Sequence, residues 1–439
     1  MPLPQYLAQA SPNPASNRTP WYLNAAPSYA GIFLWIAFYQ ALPQGTIDRA
    51  PLSICLFALA VAGLLSYALY YYVPAMLGMR TGLPLYVVGA STFGTSGGYL
   101  MPGLLMGLLQ VGWFAVGTFF SSKFILDAFQ LDSTPGSVPF IVTACLWGYT
   151  MGLIGVLGIG YVARVSMFLN AIPLVVLLLV LFKTQAGIAS YSPAQSDPLS
   201  AFTTILQGVI GFFATAGAAG ADFGTNMRNE GDVRGAGLVG ITLSILIAGG
   251  IPMLSVAGAH GLNPALTSFQ YDAAVQTLGG ALASSMLIAF AVASIVPACF
   301  CAFIAGNSFA TMIPGVSRMI STMVGVTIAI GLAVSGVAAN LAGVFSIVGA
   351  SFGPICGAMA ADWFLSGKKW AGPREGVNIA GYGAWALGFA VGTLPFMGIN
   401  AQPAVLYSFL TGFIVYVALA KAGLEGKVVP LGATASRGA

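Results

Sequence analysis

Residues 52 to 77 read LSICLFALAVAGLLSYALYYYVPAML, with no charged side chain anywhere in the run. Wound as an α-helix at about 1.5 Å per residue, this stretch is long enough to cross a hydrocarbon core about 30 Å thick. Further apolar runs of roughly 18 to 25 residues recur from Ala30 to Ala420. The alternating strands of about ten residues that would build a membrane barrel are missing. Composition points the same way: of 439 residues 58% are hydrophobic and 6% are charged, and mean hydropathy is +0.89, so the chain lacks the charged surface of a soluble domain this large. The expected class is an all-α integral membrane protein.

Twelve transmembrane helices are expected, near 28–46, 52–77, 98–122, 138–156, 158–182, 202–221, 236–260, 281–306, 316–339, 341–364, 378–398 and 403–422. With a cytoplasmic N-terminus, Arg18, Arg80, Arg164, Arg228, Arg234, Arg318, Lys368, Lys369, Arg374, Lys421, Lys427 and Arg437 fall inside, and only Arg49, Lys123 and Lys183 fall outside. Acidic residues divide nearly evenly, so the bias is in Lys and Arg alone, the form that orients membrane proteins. Both termini are therefore expected in the cytoplasm, and the chain in a cytoplasmic (inner or plasma) membrane. The residues through Thr19 are polar and proline-bearing, with no signal-peptide pattern. Residues 1–27 read as a cytosolic tail, 28–422 as one transmembrane domain and 423–439 as a second cytosolic tail. Loops this short leave function to the helices. No nucleic-acid partner is expected.

Cys55, Cys145, Cys299, Cys301 and Cys356 all lie in apolar runs without paired spacing, so they read as small apolar residues rather than disulfides or zinc ligands. His260, the single histidine, sits at a loop edge near Asn263, and no His-Glu or cysteine pair has ligand spacing. An intramembrane enzyme would need converging acids, bases or metal ligands, which this sequence does not offer. The chain is not expected to be an enzyme or to carry a cofactor.

Four helical segments stand out. Span 6 and its exit read GFFATAGAAGADF over 211–223; glycine and alanine at this density mean either close helix packing or a helix broken midway, with freed backbone groups facing a cavity. Span 1 holds the amide of Gln40 in a hydrocarbon setting beside Pro43, which removes a helical hydrogen bond and leaves a kinked structural helix or a cavity wall. Span 3 carries Gln110-Val111-Gly112-Trp113-Phe114 in mid-membrane, where a tryptophan fills the core or stacks on a flat ring. Asp222 and Asp362, at the cytoplasmic ends of spans 6 and 10 and followed by Arg228 and Lys368, either gate by ion pairing or cap helix ends.

Taken in order, Gly78-Met79-Arg80-Thr81-Gly82-Leu83-Pro84, Phe93-Gly94, Gln110 through Phe114, Ala216-Gly217 through Asp222-Phe223, Pro354 through Asp362-Trp363 and Asn378 through Gly388 resemble the nucleobase-cation symporter-1 family of cytosine, purine and hydantoin permeases. The resemblance covers nearly the whole membrane region. It implies a five-plus-five inverted-repeat transporter fold, with repeat one at about 28–182, repeat two at about 202–364, and two extra C-terminal helices at about 378–422. Broken helices 1 and 6 would hold substrate at the bilayer midplane, and alternating access would release it. Carried over by position, Trp113 and Phe213 become two faces of an aromatic sandwich. Tyr39, Gln40, Thr215, Ala216 and Gly217 become pocket-lining residues, and Gln110 braces Trp113.

The same resemblance puts a cation site at the carbonyls of Trp35 and Phe38 with hydroxyls on span 8. Span 8 here reads Val292-Ala293-Ser294-Ile295-Val296-Pro297-Ala298-Cys299, so Ser294 is the one hydroxyl for substrate or cation. A hard cation wants several oxygens, which favours coupling to H+ over Na+. The span-8 asparagines with which relatives read a base edge are missing too, so the pocket should accept flat rings with little hydrogen-bond discrimination. The expected function is import of cytosine, a purine, a hydantoin or a pyrimidine-vitamin precursor by cation symport, by a protein functional as a monomer in the lipid bilayer. A passive channel or a transporter-like sensor is the alternative.

Overall fold

In the computed structural model, which describes residues 3–157, 169, 171–313 and 315–431, helices dominate; the described β pairing is confined to two isolated bridges, Thr19 with Met227 and Arg374 with Val428. Lipid offers backbone groups no hydrogen-bond partner, so each segment must satisfy its own N–H and C=O groups. Among the described residues nine helices are long and apolar enough to cross a membrane: Leu52–Thr81, Gly97–Ala128, Val138–Leu157, Ala171–Ser190, Pro198–Ala218, Glu230–Leu262, Gly280–Met312, Leu341–Leu365 and Ala404–Lys421. Arg318–Val334 and Ile379–Gly392, at expected spans 9 and 11, are shorter apolar helices. Most of the first half of expected span 5, with Arg164, and residues 432–439 of the C-terminal tail, with Arg437, lie outside the described residues.

Span 1 is discontinuous, as the resemblance implies, but Pro43 is not the cause. Helix Ala25–Phe33 stops, Trp35 is extended (φ −70°, ψ 129°), and a second piece runs over Ile36–Tyr39. Pro43 falls in the turn beyond, where its carbonyl accepts the N–H groups of Thr46 and Ile47. Span 6 differs from the expectation. It stays helical from Pro198 to Ala218, is interrupted only at Ala219, and resumes as the short helix Gly220–Gly224. Its small residues pack: Gly211 lies against the Phe345 backbone, Gly217 against Tyr70, and Gly224 against the Ala75 carbonyl, where a Cβ would collide with backbone. Gly78 makes the reciprocal approach to Ala221, so the family-like Gly78–Pro84 stretch is where span 2 locks onto the exit of span 6.

Leu341–Leu365 packs against both C-terminal helices, and Gly97–Ala128 against Gly280–Met312 and Arg318–Val334. The cations expected on one side gather at one end of the bundle: Arg18 donates to the carbonyls of Met79 and Met227, and Arg80 to that of Lys368. Lys123, expected on the other side, meets Asp272 at 2.5 Å at the opposite end. The N-terminal tail is docked. Tyr6 is buried and donates to the Thr95 carbonyl at 2.7 Å, Asn13 N–H donates to Gly82, and Thr19 N–H to Asn226.

Candidate functional site

The break in span 1 opens onto a cavity of about 770 Å³ walled by spans 1, 3, 6 and 8. At its deep end stand Trp35, Gln110, Trp113, Phe212 and Thr215. The Trp113 indole N–H donates to the Thr215 hydroxyl at 3.3 Å, which fixes the plane of the ring. Phe212 meets Trp113 edge-on, with centroids 5.1 Å apart, and Trp35 tilts towards it at 5.9 Å. Three aromatic walls from three helices therefore converge, an arrangement that favours offset or edge contacts with a flat guest. Gln110 presents its amide to the cavity; its one described side-chain contact is with the Met106 sulfur at 3.6 Å.

Of the residues carried over by position, Trp35, Gln110, Trp113, Thr215 and Ala216 line this cavity. Phe213 does not. It is fully buried behind Phe212, stacked on Phe33 with centroids 5.6 Å apart, because neighbouring residues on a helix point about 100° away from each other. Phe212 takes the place given to Phe213. Tyr39 is buried edge-on against Tyr271, and Gln40 is tied to the short helix Tyr271–Gln276: its carbonyl accepts Tyr271 N–H and its side-chain oxygen accepts Asp272 N–H. Gly217 faces Tyr70. Ser294 is fully buried, donates to the Phe290 carbonyl at 2.9 Å and accepts the Trp35 indole N–H at 3.2 Å.

The carbonyl of Trp35, offered as a cation ligand, already accepts Phe38 N–H at 2.9 Å, and Phe38 packs its ring against Phe33 and Phe212. Of this expected cation set, the Trp35 carbonyl and the Ser294 hydroxyl are engaged with protein donors. Phe212, Ala219 and Phe223, which sequence reading missed, follow a signal it contained: with Thr215, Ala216 and Asp222 they recur at helical spacing along one face of span 6. On span 8 a similar face runs from Pro297 to Met312 and brings Cys301 to the wall and Asn307 and Ser308 nearer the mouth.

The cavity opens at the end where the N-terminal tail and most cations lie, since Asn24, Tyr86 and Asp222 form its rim. The other end is shut by Gln40 on the Tyr271–Gln276 helix and by Lys123, which pairs with both Asp127 and Asp272. Ion pairing of Asp222 with Arg228 and of Asp362 with Lys368, one of the two expected roles, is not found among the described residues. Arg228 pairs with Asp232, and Asp362 pairs with Arg374 at 2.9 Å while accepting the hydroxyls of Ser91 and Thr92. His260 stacks on Phe269 at 3.9 Å, remote from the cavity lining.

No protein-family model matches the chain, and no curated protein matches it in sequence. Among solved structures it is similar to the inward-facing conformation of Mhp1, with 16% identity over 94% of this chain and 92% of that one and a TM-score of 0.75. It is also similar to Mhp1 in a closed conformation with bromovinylhydantoin bound, described as a nucleobase-cation-symport-1 family transporter (16% identity, 94% of each chain, TM-score 0.68). A Na+-coupled sialic acid symporter in a substrate-bound outward-open state follows (13% identity, 95% of this chain and 93% of that one, TM-score 0.58). At these identities the likeness establishes the fold: the chain has the all-helical architecture of Mhp1.

Proposed function

We propose that this chain is a secondary active transporter that imports a nucleobase or related planar heterocycle by cation symport and alternating access. The observation that carries the proposal is the deep end of the cavity, where Trp35, Trp113 and Phe212 bound a space with the Gln110 amide and the Thr215 hydroxyl beside it. Aromatic faces attract any flat π-system, at about 1–3 kcal/mol per stacked ring, whereas a single amide supplies only a donor pair and an acceptor. Such a site selects for ring shape before it selects for ring substituents, so cytosine, purines, hydantoins and pyrimidine-vitamin precursors are all candidate substrates. The fold shared with Mhp1, itself solved with a hydantoin bound, supports the same class.

The twelve-helix count, the five-plus-five repeat, the monomeric state and the cytoplasmic termini belong to this proposal, the last of them resting on the Lys and Arg bias. The coupling ion is H+ rather than Na+. A sodium ion needs several free oxygens, and the Ser294 hydroxyl and Trp35 carbonyl are both held by protein donors. Purified protein in liposomes, offered radiolabelled cytosine, uracil, hypoxanthine and hydantoin, tests both parts. Saturable accumulation driven by an inward proton gradient in sodium-free buffer is the expected result. Gradient-independent equilibration would mark a passive channel and defeat the proposal; accumulation only with sodium would defeat the proton assignment.

A further inference from the structure

Asp222 is the carboxylate at the rim of the cavity. It also lines a second recess of about 410 Å³ beneath the N-terminal tail, bounded by Ser11, Asn13, Gly82, Pro84 and Thr225. Its Oδ1 accepts the Leu85 N–H at 3.1 Å. Among the described residues no cation lies within ion-pair distance of it. The groups around it, element by element, are neutral or committed elsewhere. From span 1 comes the Tyr29 phenol, which donates to the Ala216 carbonyl; from the Leu85–Val88 turn comes Tyr86. At the end of span 2, Arg80 donates to Lys368 and lies over the Trp363 ring. In the tail, Arg18 donates to the carbonyls of Met79 and Met227. Past the exit of span 6, Arg228 pairs with Asp232.

Alternating access requires this open end to close. Closing would strip water from an uncompensated carboxylate, and the favourable way to bury such a group is to protonate it. We propose that Asp222 is a proton-binding site of the inner mouth: it takes up a proton when the mouth closes over it and gives the proton back to water when the mouth opens. The step is a simple protonation, carboxylate plus H+ to carboxyl, with no other bond made or broken. Acid therefore favours the closed mouth and alkali the open one. In the open form desolvation already raises the carboxyl to about 6, against the opposing Leu85 N–H. The inference adds to the proposed transport cycle and rests on its alternating access, but its test needs no substrate.

Cys301 lies on the cavity wall and reports the mouth. The rate at which N-ethylmaleimide alkylates Cys301, read by peptide mass spectrometry in full-length protein in lipid nanodiscs, is compared between wild type and Asp222→Asn at matched pH, so that the pH dependence of the thiol cancels. The variant, neutral at every pH, should stay closed. The wild-type to variant ratio is expected to be about fivefold or more at pH near 8 and to fall to about one at pH near 5. A ratio independent of pH would overturn the inference. Should Asp222→Asn not give monodisperse protein, Asp222→Glu is informative: it should retain a pH-dependent Cys301 rate with a displaced midpoint, and a curve superimposable on wild type would count against the site. If no heterocycle is transported by the wild type, the proposed function fails while the Cys301 result still decides the role of Asp222.

Discussion

Phe212 and Phe213 are adjacent in sequence and opposite in consequence. Phe212 faces the cavity and meets Trp113, whereas Phe213 is buried against Phe33 and Tyr29. Trp113→Ala and Phe212→Ala should each lower heterocycle uptake about 5- to 150-fold, the equivalent of about 1–3 kcal/mol of lost stacking, and because both side chains are buried each should also lower the melting temperature. Phe213→Ala should lower stability alone: substrate affinity is retained while the protein loses about 3–5 kcal/mol of core packing, read as a lower midpoint in thermal unfolding. Equal uptake defects in all three would refute the division. Asp362 and Arg374 are likewise structural. Both are buried, and the pair ties span 10 to Ser91, Thr92 and Glu425. Asp362→Asn leaves the buried Arg374 guanidinium with Glu425 as its remaining described carboxylate, at a cost of about 1.5–3 kcal/mol for the lost charged hydrogen bond, so it should lower thermal stability more than Lys368→Gln does. The sequence placed both aspartates near helix ends, but the neighbouring Arg228 and Lys368 are not their partners among the described residues: Asp362 takes Arg374 from a later loop, and Asp222 has no cation in ion-pair distance.

At the scale of elements, the discontinuity of span 1 was legible only as a tendency. Pro43 was the visible breaker, but the chain breaks at Leu34 and Trp35, where the Trp35 indole reaches Ser294 on another helix. Nothing local in residues 30–36 dictates that; the contact is made across 259 positions. Span 6 shows the converse. Its glycines suited a break, yet they serve as contact points for Phe345, Tyr70 and Ala75, and the helix continues to Ala218. The far end of the cavity is held by the Tyr271–Gln276 helix through Gln40 and Lys123. Removing that closure with Lys123→Gln should admit solvent from the outer side. A membrane-impermeant thiol reagent added to right-side-out vesicles should then label Cys301 in the variant and leave it unlabelled in the wild type; no labelling in either would show that Lys123 does not hold the outer side shut.

At the scale of the molecule, the cavity, its open rim and its shut far end correspond to one state of the proposed transport cycle, with access from the side that bears the tail. Fluorescent-protein and alkaline-phosphatase fusions to the C-terminus test the assigned side: the first should fluoresce and the second stay inactive, and the opposite pattern would invert the orientation. The sequence by itself determined the solvent, the helical class, the approximate spans and the segregation of cations between the two ends. Those properties depend on how much apolar side chain a segment carries and on where charge is placed along it, and both are written in one dimension. Only the tertiary structure decided that Phe212 rather than Phe213 reaches the cavity, that Ser294 is spent on Trp35, and that Asp222 stands at the mouth with no cation among the described residues in ion-pair distance. Each of these depends on the rotation of one helix against another, and so on contacts between residues far apart in the chain.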